Sequence, residues 1–304
     1  MKTSRLAAML AGATAAILMA GTAAAVVGQP RTAGPRYDRN PSVVEDASLT
    51  YMFFARSQMP CNRLVLLPPC NPDIIDYDLY FKVSPDGGAT FGPPQLAATN
   101  PDGPLGFYGR TPAATVTDDG TIYVFWASGG NSNELYYLRE TSPGAFSAPQ
   151  VVPGSNPLTF NVEAVAQGAD VYLYTEEQGI PTYGIYARRF DGAAVTAGPN
   201  LVAANMHIPK AIRDVNGGFR MTMVEASQYP TVDVYVSTSA DGLVWTPPVA
   251  VVHEEGVSHW DPTLIQRPNG SYELYMAPDR DMGLGSQRIA EAKSNDFVNW
   301  SPPH

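Results

Sequence analysis

Cysteine is scarce in this sequence, and its scarcity narrows the chemistry that the chain can support. The 304 residues include two cysteines, Cys61 and Cys70, and four histidines that form no cluster in the sequence. Without a Cys-x-x-Cys pair, neither a thiolate metal site nor a dithiol redox motif is expected. In an oxidising compartment, Cys61 and Cys70 are expected to form a disulfide that closes the loop between them.

Positive charge is also in short supply. Lys and Arg number 19 against 29 Asp and Glu, which gives a formal net charge of −10. Phosphate backbones and anionic lipid surfaces are bound mainly by clustered cations. The composition therefore counts against nucleic acid and anionic membranes as partners, and against polyanionic ligands unless a pocket is locally basic.

Long hydrophobic runs are absent beyond the N-terminus. Residues 1–25 combine a basic start at Lys2 and Arg5 with an apolar run from Leu6 to Ala20 and the small residues Ala23-Ala24-Ala25. This pattern is typical of a secretory signal peptide, and the apolar run is short for a membrane anchor, the alternative interpretation. We therefore expect a secreted, extracellular or periplasmic protein with a flexible leader at 26–36.

Helical periodicity is missing throughout, and a repeat of short strands takes its place. Five modules start 71, 50, 47 and 53 residues apart, and each contains four short apolar segments separated by polar turns. A repeat of this length made only of strands predicts an all-β, five-bladed β-propeller with four antiparallel strands per blade. We expect residues 37–304 to form this single domain. The modules begin at Asn40, Thr111, Asn161, Ile208 and Asp261.

Three turns between third and fourth strands carry a recurring motif. Residues 84–91 read Ser-Pro-Asp-Gly-Gly-Ala-Thr-Phe, and residues 239–245 and 294–300 are variants of the same turn. An Asp that bonds turn amides, a Gly at positive φ and a packed aromatic explain the pattern. The motif resembles the Asp-box of sialidase-type propellers, which is a signal for fold rather than for function.

Strand direction predicts which residues meet at one face of the propeller. If first strands start there, second strands end there, so the flanks of both should line a central pocket. One predicted set is Arg39, Asn40, Arg110, Asn161, Glu163, His207, Lys210, His259, Trp260 and Asp261. The other is Arg56, Trp126, Ser128, Glu176, Glu177, Glu225, Asp279 and Arg280.

Blade five resembles blades of the five-bladed glycosidases of families 43, 32, 62 and 68. The residues that carry the resemblance are Asp261-Pro262-Thr263-Leu264, followed by residues 269–276, which read Asn-Gly-Ser-Tyr-Glu-Leu-Tyr-Met. In those families a "DP" or "EP" element places a carboxylate at the pocket. Family 43 carries a base Asp in blade one, a pKa-tuning Asp in blade two and an acid Glu in blade three. The matching positions here are Asn40, Arg110 or Thr111, and Glu163, of which the last alone keeps its chemistry.

Two short elements are similar to the R-I-P element of sialidases, whose Arg binds a sugar carboxylate. They are Arg39-Asn40-Pro41 and Arg110-Thr111-Pro112. Sialidases have six blades, an arginine triad and a Tyr–Glu nucleophile. Five blades are counted here, and that nucleophile has no assignable counterpart.

The candidate catalytic carboxylates are Glu163 and Asp261. Glu163 stands between apolar neighbours, where a carboxylate is either desolvated with a raised pKa, as suits a general acid, or held in a structural ion pair. Asp261 precedes a proline, which disfavours helix and places it at a strand start, where it acts as nucleophile, base or charge stabiliser, or else caps amides. Glu225, Glu176 and Asp279 each end a second strand and can replace either one.

The remaining candidates are ligand contacts. Tyr108, Trp126 and Trp260 can stack on sugar rings, although single aromatics more often pack in a core. Polar contacts are expected from Arg39, Asn40, Arg110, Glu176, His259, Asp279 and Arg280. No cofactor is expected, with Ca²⁺ held by a His and carboxylates as a minor alternative.

These features predict a secreted glycoside hydrolase that acts on an extracellular glycan as a monomer. Two carboxylates about 5 Å apart would imply retention of the anomeric configuration, and roughly 6.5–9.5 Å would imply inversion. The alternative is a non-catalytic glycan-binding propeller, favoured by Asn40 where a base is expected. A metal-dependent lyase or esterase on the same fold has no motif in its favour.

Overall fold

The computed structural model describes ten stretches of the chain. They are residues 36–46, 49–60, 77–99, 111–127, 134–156, 158–178, 182–225, 227, 231–279 and 289–304, with the backbone alone described at 36–40 and 58–60. These stretches contain strands and turns but no helix, and hence no helix able to cross a membrane. The expected signal peptide, the leader up to residue 35 and the Cys61–Cys70 pairing lie outside the described residues.

The chain divides into two compact units, Met1–Phe160 and Asn161–His304. The first unit holds two antiparallel sheets. One has the strand order β1-β2-β3-β4, and the other the order β5-β6-β7, with β8 and β9 both paired to β7. The strands are β1 (Arg36–Glu45), β2 (Thr50–Pro60), β3 (Tyr77–Ser84), β4 (Gln95–Ala98), β5 (Ala113–Val116), β6 (Ile122–Ala127), β7 (Leu135–Ser142), β8 (Ala145–Phe146) and β9 (Gln150–Val151).

The second unit holds three more sheets in sequence order, β10 to β13, β14 to β17 and β18 to β20. The strands are β10 (Thr159–Gln167), β11 (Asp170–Glu177), β12 (Gly184–Phe190), β13 (Val195–Ala204), β14 (Met206–Arg213), β15 (Phe219–Glu225), β16 (Asp233–Ser239), β17 (Val249–Val252), β18 (Ser258–Gln266), β19 (Tyr272–Asp279) and β20 (Ala290–Ser294).

The predicted five-bladed β-propeller class is confirmed, with differences at two outer strands. In the second sheet β9 pairs with β7 as the fourth strand, and the two-residue β8 extends the β7 hairpin. In the last sheet the fourth position is taken by residues 301–304. Here the His304 and Glu291 backbones exchange two hydrogen bonds, of 3.0 and 3.1 Å, although no regular strand is formed.

Aromatic and aliphatic side chains fill the cores of both units because the inner strands are buried on both faces. In the first unit, Phe146 makes edge-on contacts with Phe53 and Phe81 at centroid distances of 5.3 and 5.0 Å. In the second, Tyr174 is fully buried and meets Trp245 edge-on at 5.2 Å. Such pairs add to the stabilisation that burial itself gives.

The three Ser-x-Asp turns share one hydrogen-bond pattern. In each turn the Asp side chain bonds the hydroxyl of the Ser two residues before it. It also accepts hydrogen bonds from backbone N–H groups that follow it, four residues on in the first turn and two and three residues on in the other two. For Asp241 the donors are Leu243 and Val244, at 2.9 and 2.8 Å. Gly242 takes a φ of +75°, and its position faces the ring of Tyr172 so closely that a Cβ would lie 2.5 Å from it. These turns are therefore built by local bonding and packing.

The first strands of the fourth and fifth sheets carry matching bulges at an Xaa-Pro step. The pairing register shifts between His207 and Lys210 on β14, and between Trp260 and Thr263 on β18. Inside these bulges Ile208 and Asp261 both have a φ of 51°. The expectation that Asp261 starts a strand is wrong: β18 begins at Ser258, and the bulge inserts Asp261 within it in a left-handed conformation.

Candidate functional site

A cluster of polar side chains in the second unit joins β10, β11 and β14. At its centre Lys210 Nζ donates to Glu163 Oε2 at 2.9 Å. The two side chains are 28% and 19% exposed, so both are held partly away from water. Burial raises the pKa of Glu163, and the Lys210 ammonium offsets this only in part. The pair can hold a proton on the carboxyl at a pH where an exposed Glu would be ionised.

Glu176, on β11, is buried and accepts hydrogen bonds from four donors. Its Oε2 bonds Asn161 Nδ2 at 2.7 Å and the Ile208 N–H at 2.9 Å. Its Oε1 accepts from the Tyr183 hydroxyl and lies 3.3 Å from His207 Nδ1. Burial pushes the pKa of Glu176 upward, but these hydrogen bonds outweigh it and the net shift is downward. Glu176 is thus an anionic anchor rather than a proton donor.

Glu163 and Glu176 belong to one face of their sheet. Asn161 and Glu163 are two residues apart on β10 and so point the same way. Asn161 reaches Glu176 on the adjacent strand, which places all three side chains on that face. Because β14 contacts both carboxylates through Lys210 and His207, the face is covered by cations and donors of the next sheet.

Asp261 differs from Glu163 and Glu176 in its backbone conformation, and it lies on another strand, β18. It is exposed at the β18 bulge, with a φ of 51°. Asp tolerates this left-handed region better than most residues, whereas the β-branched Ile208 at the matching position does not. At Ile208 the unusual backbone directs its N–H to Glu176. Conformations of this kind cluster at functional sites.

Glu225 and Asp279 occupy the strand ends where the sequence placed them. Glu225 ends β15 opposite Met206 at the start of β14, and Asp279 ends β19 opposite Ser258 at the start of β18. Within each of these sheets, the end of the second strand therefore lies beside the start of the first. Both side chains are half-buried, and Glu225 Oε1 accepts the Ser227 N–H at 2.9 Å.

The aromatic candidates act mainly in packing. Trp126 is 4% exposed and stacks on Tyr136 with centroids 5.9 Å apart. A ring so buried presents no face to a sugar, so its predicted stacking role does not fit its place in the core. Trp260 is half-buried against an apolar cluster that includes Met276. His259 is fully buried, with Nδ1 3.3 Å from the Val232 carbonyl oxygen, and is likewise removed from ligand contact.

Several predicted site residues fall where the structure describes the backbone alone, or outside the described residues. The backbones of Arg39 and Asn40 belong to β1, where Arg39 pairs with Ala55. Four predicted site residues lie outside the described residues: Tyr108, Arg110, Ser128 and Arg280.

Tyr183 and its bond to His207 were not identified as site features from the sequence. Tyr183 immediately precedes β12, whose first residue, Gly184, lies opposite Glu177 at the end of β11. Its hydroxyl lies 2.7 Å from His207 Nδ1. The available signal was positional: the start of a third strand returns to the edge where the second strand ended.

Metal binding finds no support in the described stretches. They contain no group of three or more His, Cys, Asp or Glu side chains arranged to hold an ion.

Comparison with known proteins gives a fold and no family. No protein-family model and no curated protein matches this sequence. Among solved structures, the chain is similar to a PL25 ulvan lyase bound to -[GlcA(1-4)Rha3S]-, with a TM-score of 0.61 and 12% identity over 88% of this chain and 71% of the lyase. It is also similar to a Hadza microbial sialidase, with a TM-score of 0.58 and 17% identity over 88% of this chain and 60% of the sialidase.

A third similar structure is an α-L-arabinofuranosidase from Podospora anserina in complex with cellotriose. The TM-score is 0.54 and the identity 10%, over 86% of this chain and 91% of that one. At these identities the similarity establishes a shared propeller fold and leaves the reaction to be argued from the site.

Proposed function

We propose that this chain is a secreted glycoside hydrolase acting on an extracellular glycan, with Glu163 as proton donor and Asp261 as second carboxylate. The observation that carries the proposal is the state of Glu163: partly buried, 2.9 Å from Lys210 and with a raised pKa. A general acid needs a proton at the working pH, and burial is the usual way to keep one on a carboxyl.

Asp261 offers a contrasting environment because it is exposed at the β18 bulge. Glycoside hydrolysis uses two carboxyl groups whose surroundings push their pKa values apart. The fold-level neighbours, a sialidase, an arabinofuranosidase and a lyase with a bound glycan, support a glycan as the ligand by analogy. Export rests on the signal-peptide pattern of residues 1–25.

A glycan-binding propeller without activity is the second candidate. It is favoured by the pairing of Glu163 with Lys210 and by the four donors on Glu176, which are typical of a fixed scaffold. In that case the polar side chains of the site bind sugar hydroxyls, and the glycosidic bond is not cleaved.

The test is turnover by the secreted chain on aryl glycosides and natural polysaccharides. Wild type is compared with Glu163→Gln and Asp261→Asn. The matched control is Asp170→Asn, because Asp170 begins β11 at the end of the strand away from Glu176. Loss of a thousandfold or more on the natural polysaccharides in the first two variants, with the control unchanged, supports the proposal. Activity that survives both changes moves the assignment to Glu225 or Asp279. Saturable glycan binding without turnover favours the second candidate.

A further inference from the structure

His207 is held by one ring nitrogen and leaves the other without a hydrogen-bond partner among the described residues. Its Nδ1 lies 2.7 Å from the Tyr183 hydroxyl and 3.3 Å from Glu176 Oε1. No described residue bonds Nε2, and the side chain is 32% exposed. The ring is thus fixed at its Nδ1 edge, while part of the side chain is exposed.

The contacts at the buried edge determine which nitrogen carries the proton. Glu176 is ionised and can only accept hydrogen bonds. The Tyr183 hydroxyl gives its single proton to Glu176, so its oxygen accepts from His207. Nδ1 must therefore be the N–H, and the lone pair of the neutral ring lies on Nε2.

The backbone next to His207 fixes the same arrangement. Ile208 follows it at a φ of 51° and donates its N–H to Glu176 at 2.9 Å. Two adjacent residues of β14 are thus bound to one carboxylate, which limits rotation of the imidazole. A base oriented by a carboxylate through its other nitrogen is the arrangement that general-base histidines use.

We propose that His207 is a general base: Nε2 accepts a proton from a water molecule that attacks the sugar. This inference rests on the proposed function. Glu163 donates its proton to the glycosidic oxygen as the bond to the anomeric carbon breaks. The water oxygen bonds that carbon, its proton passes to Nε2, and Glu176 neutralises the imidazolium. Solvent then returns the proton from His207 to Glu163, and Asp261 stabilises the positive charge that develops on the sugar.

The titratable groups around His207 are Glu176 on β11, Tyr183 before β12 and, on its own strand, Lys210. On the neighbouring strand β15, Glu225 lies opposite Met206, the residue before His207. Because a general base must be unprotonated to accept a proton, the acid limb of the pH dependence of kcat/KM is expected to require the His207 side chain.

The first experiment needs no substrate. Long-range ¹H–¹⁵N NMR of the whole protein reports the tautomer of each of its four histidines. His207 is expected as the Nδ1–H tautomer, and Glu176→Gln is expected to release it. His253→Gln, which removes a ring held by Asp233 at the surface, serves to assign the spectrum. An Nε2–H tautomer for His207 in the wild type overturns the proposal, whatever the activity.

The second experiment uses the glycoside on which the wild type is active. His207→Gln is expected to lower kcat/KM roughly 10²–10⁴-fold and to abolish the acid limb, whereas Asp261→Asn keeps that limb. Tyr183→Phe, which keeps the ring, is expected to give a smaller loss. The product should have the inverted configuration.

An unchanged acid limb in His207→Gln, or a retained product, overturns the role of His207 while leaving glycoside hydrolysis intact. Absence of turnover on every glycoside overturns both proposals.

Discussion

Lys210 Nζ lies 2.9 Å from Glu163 Oε2, yet the pKa of Glu163 is raised. Burial of this carboxylate therefore outweighs the attraction of its cation. An ion pair with a net upward shift destabilises the folded protein when the carboxyl is ionised, and the same property keeps a proton available for transfer.

The stability of the protein should depend on pH through Glu163. A carboxyl whose pKa is raised on folding costs nothing below its unfolded value of about 4.3, and the cost grows as pH rises through the folded pKa. Glu163→Gln should therefore gain stability relative to wild type as pH rises from 4 to 8, as measured by urea unfolding. Growth of wild-type stability over the variant across that range would mean that Lys210 dominates.

Asp261 should show a conflict between stability and activity. Glycine adopts the φ of 51° without strain, so Asp261→Gly should leave the unfolding free energy unchanged or raise it by up to ~1 kcal/mol while abolishing turnover. Thr263→Gly, two residues on in the same strand, should instead cost roughly 0.5–1 kcal/mol. Equal destabilisation by both changes would show that the bulge at Asp261 carries no strain.

Gly242 should tolerate no side chain. A Cβ there lies 2.5 Å from the Tyr172 ring at a φ of +75°, whereas at Gly217, with a φ of +87°, nothing lies within 4 Å. Gly217→Ala should cost about 1–2 kcal/mol from the backbone alone, and Gly242→Ala roughly 1–3 kcal/mol more from overlap. The comparison is made by thermal and urea unfolding, and equal costs would contradict the close packing of this turn.

Arg188 and Glu177 form a buried pair in the third sheet. Arg188 Nη2 lies 3.1 Å from Glu177 Oε2, and Nη1 also bonds Thr175 Oγ1 at 2.7 Å. Arg188→Ala leaves a buried carboxylate without its cation and should cost roughly 3–5 kcal/mol.

Replacing both partners, as Arg188→Met with Glu177→Leu, should restore most of that stability because neither charge remains buried. The next residue, which is only half-buried, provides the control: Arg189→Ala should change stability by no more than about 0.5 kcal/mol. A double variant as unstable as Arg188→Ala would show that the pair contributes more than mutual neutralisation.

The sequence predicts the parts of this fold that depend on local pattern. The strand repeat, the Ser-x-Asp turns and the placement of Glu225 and Asp279 follow from alternation and turn chemistry. The bulges at Ile208 and Asp261 do not, because a residue before proline is expected in extended backbone. Their left-handed conformation is stabilised by tertiary contacts, such as the bond from Ile208 to Glu176.

The candidate site was predictable to a similar extent. Glu163 could be identified because a carboxylate between apolar residues must be either desolvated or paired, and it is both. The Glu176–Tyr183–His207 network joins three separate segments, and no single stretch of sequence encodes their meeting. The burial of Trp126 could not be predicted from the sequence either, because aromatics that pack in a core and aromatics that stack on a ligand have the same local sequence pattern.

The most direct test of the central claim, that Glu163 donates the proton, is the leaving-group dependence of Glu163→Ala. The aryl oxide of an activated aryl glycoside departs without being protonated, whereas the sugar oxygen of a natural glycosidic linkage must be protonated to depart. The account predicts that kcat/KM falls at least a hundredfold on the natural linkage and only slightly on the activated aryl glycoside. An equal loss on both substrates would contradict it.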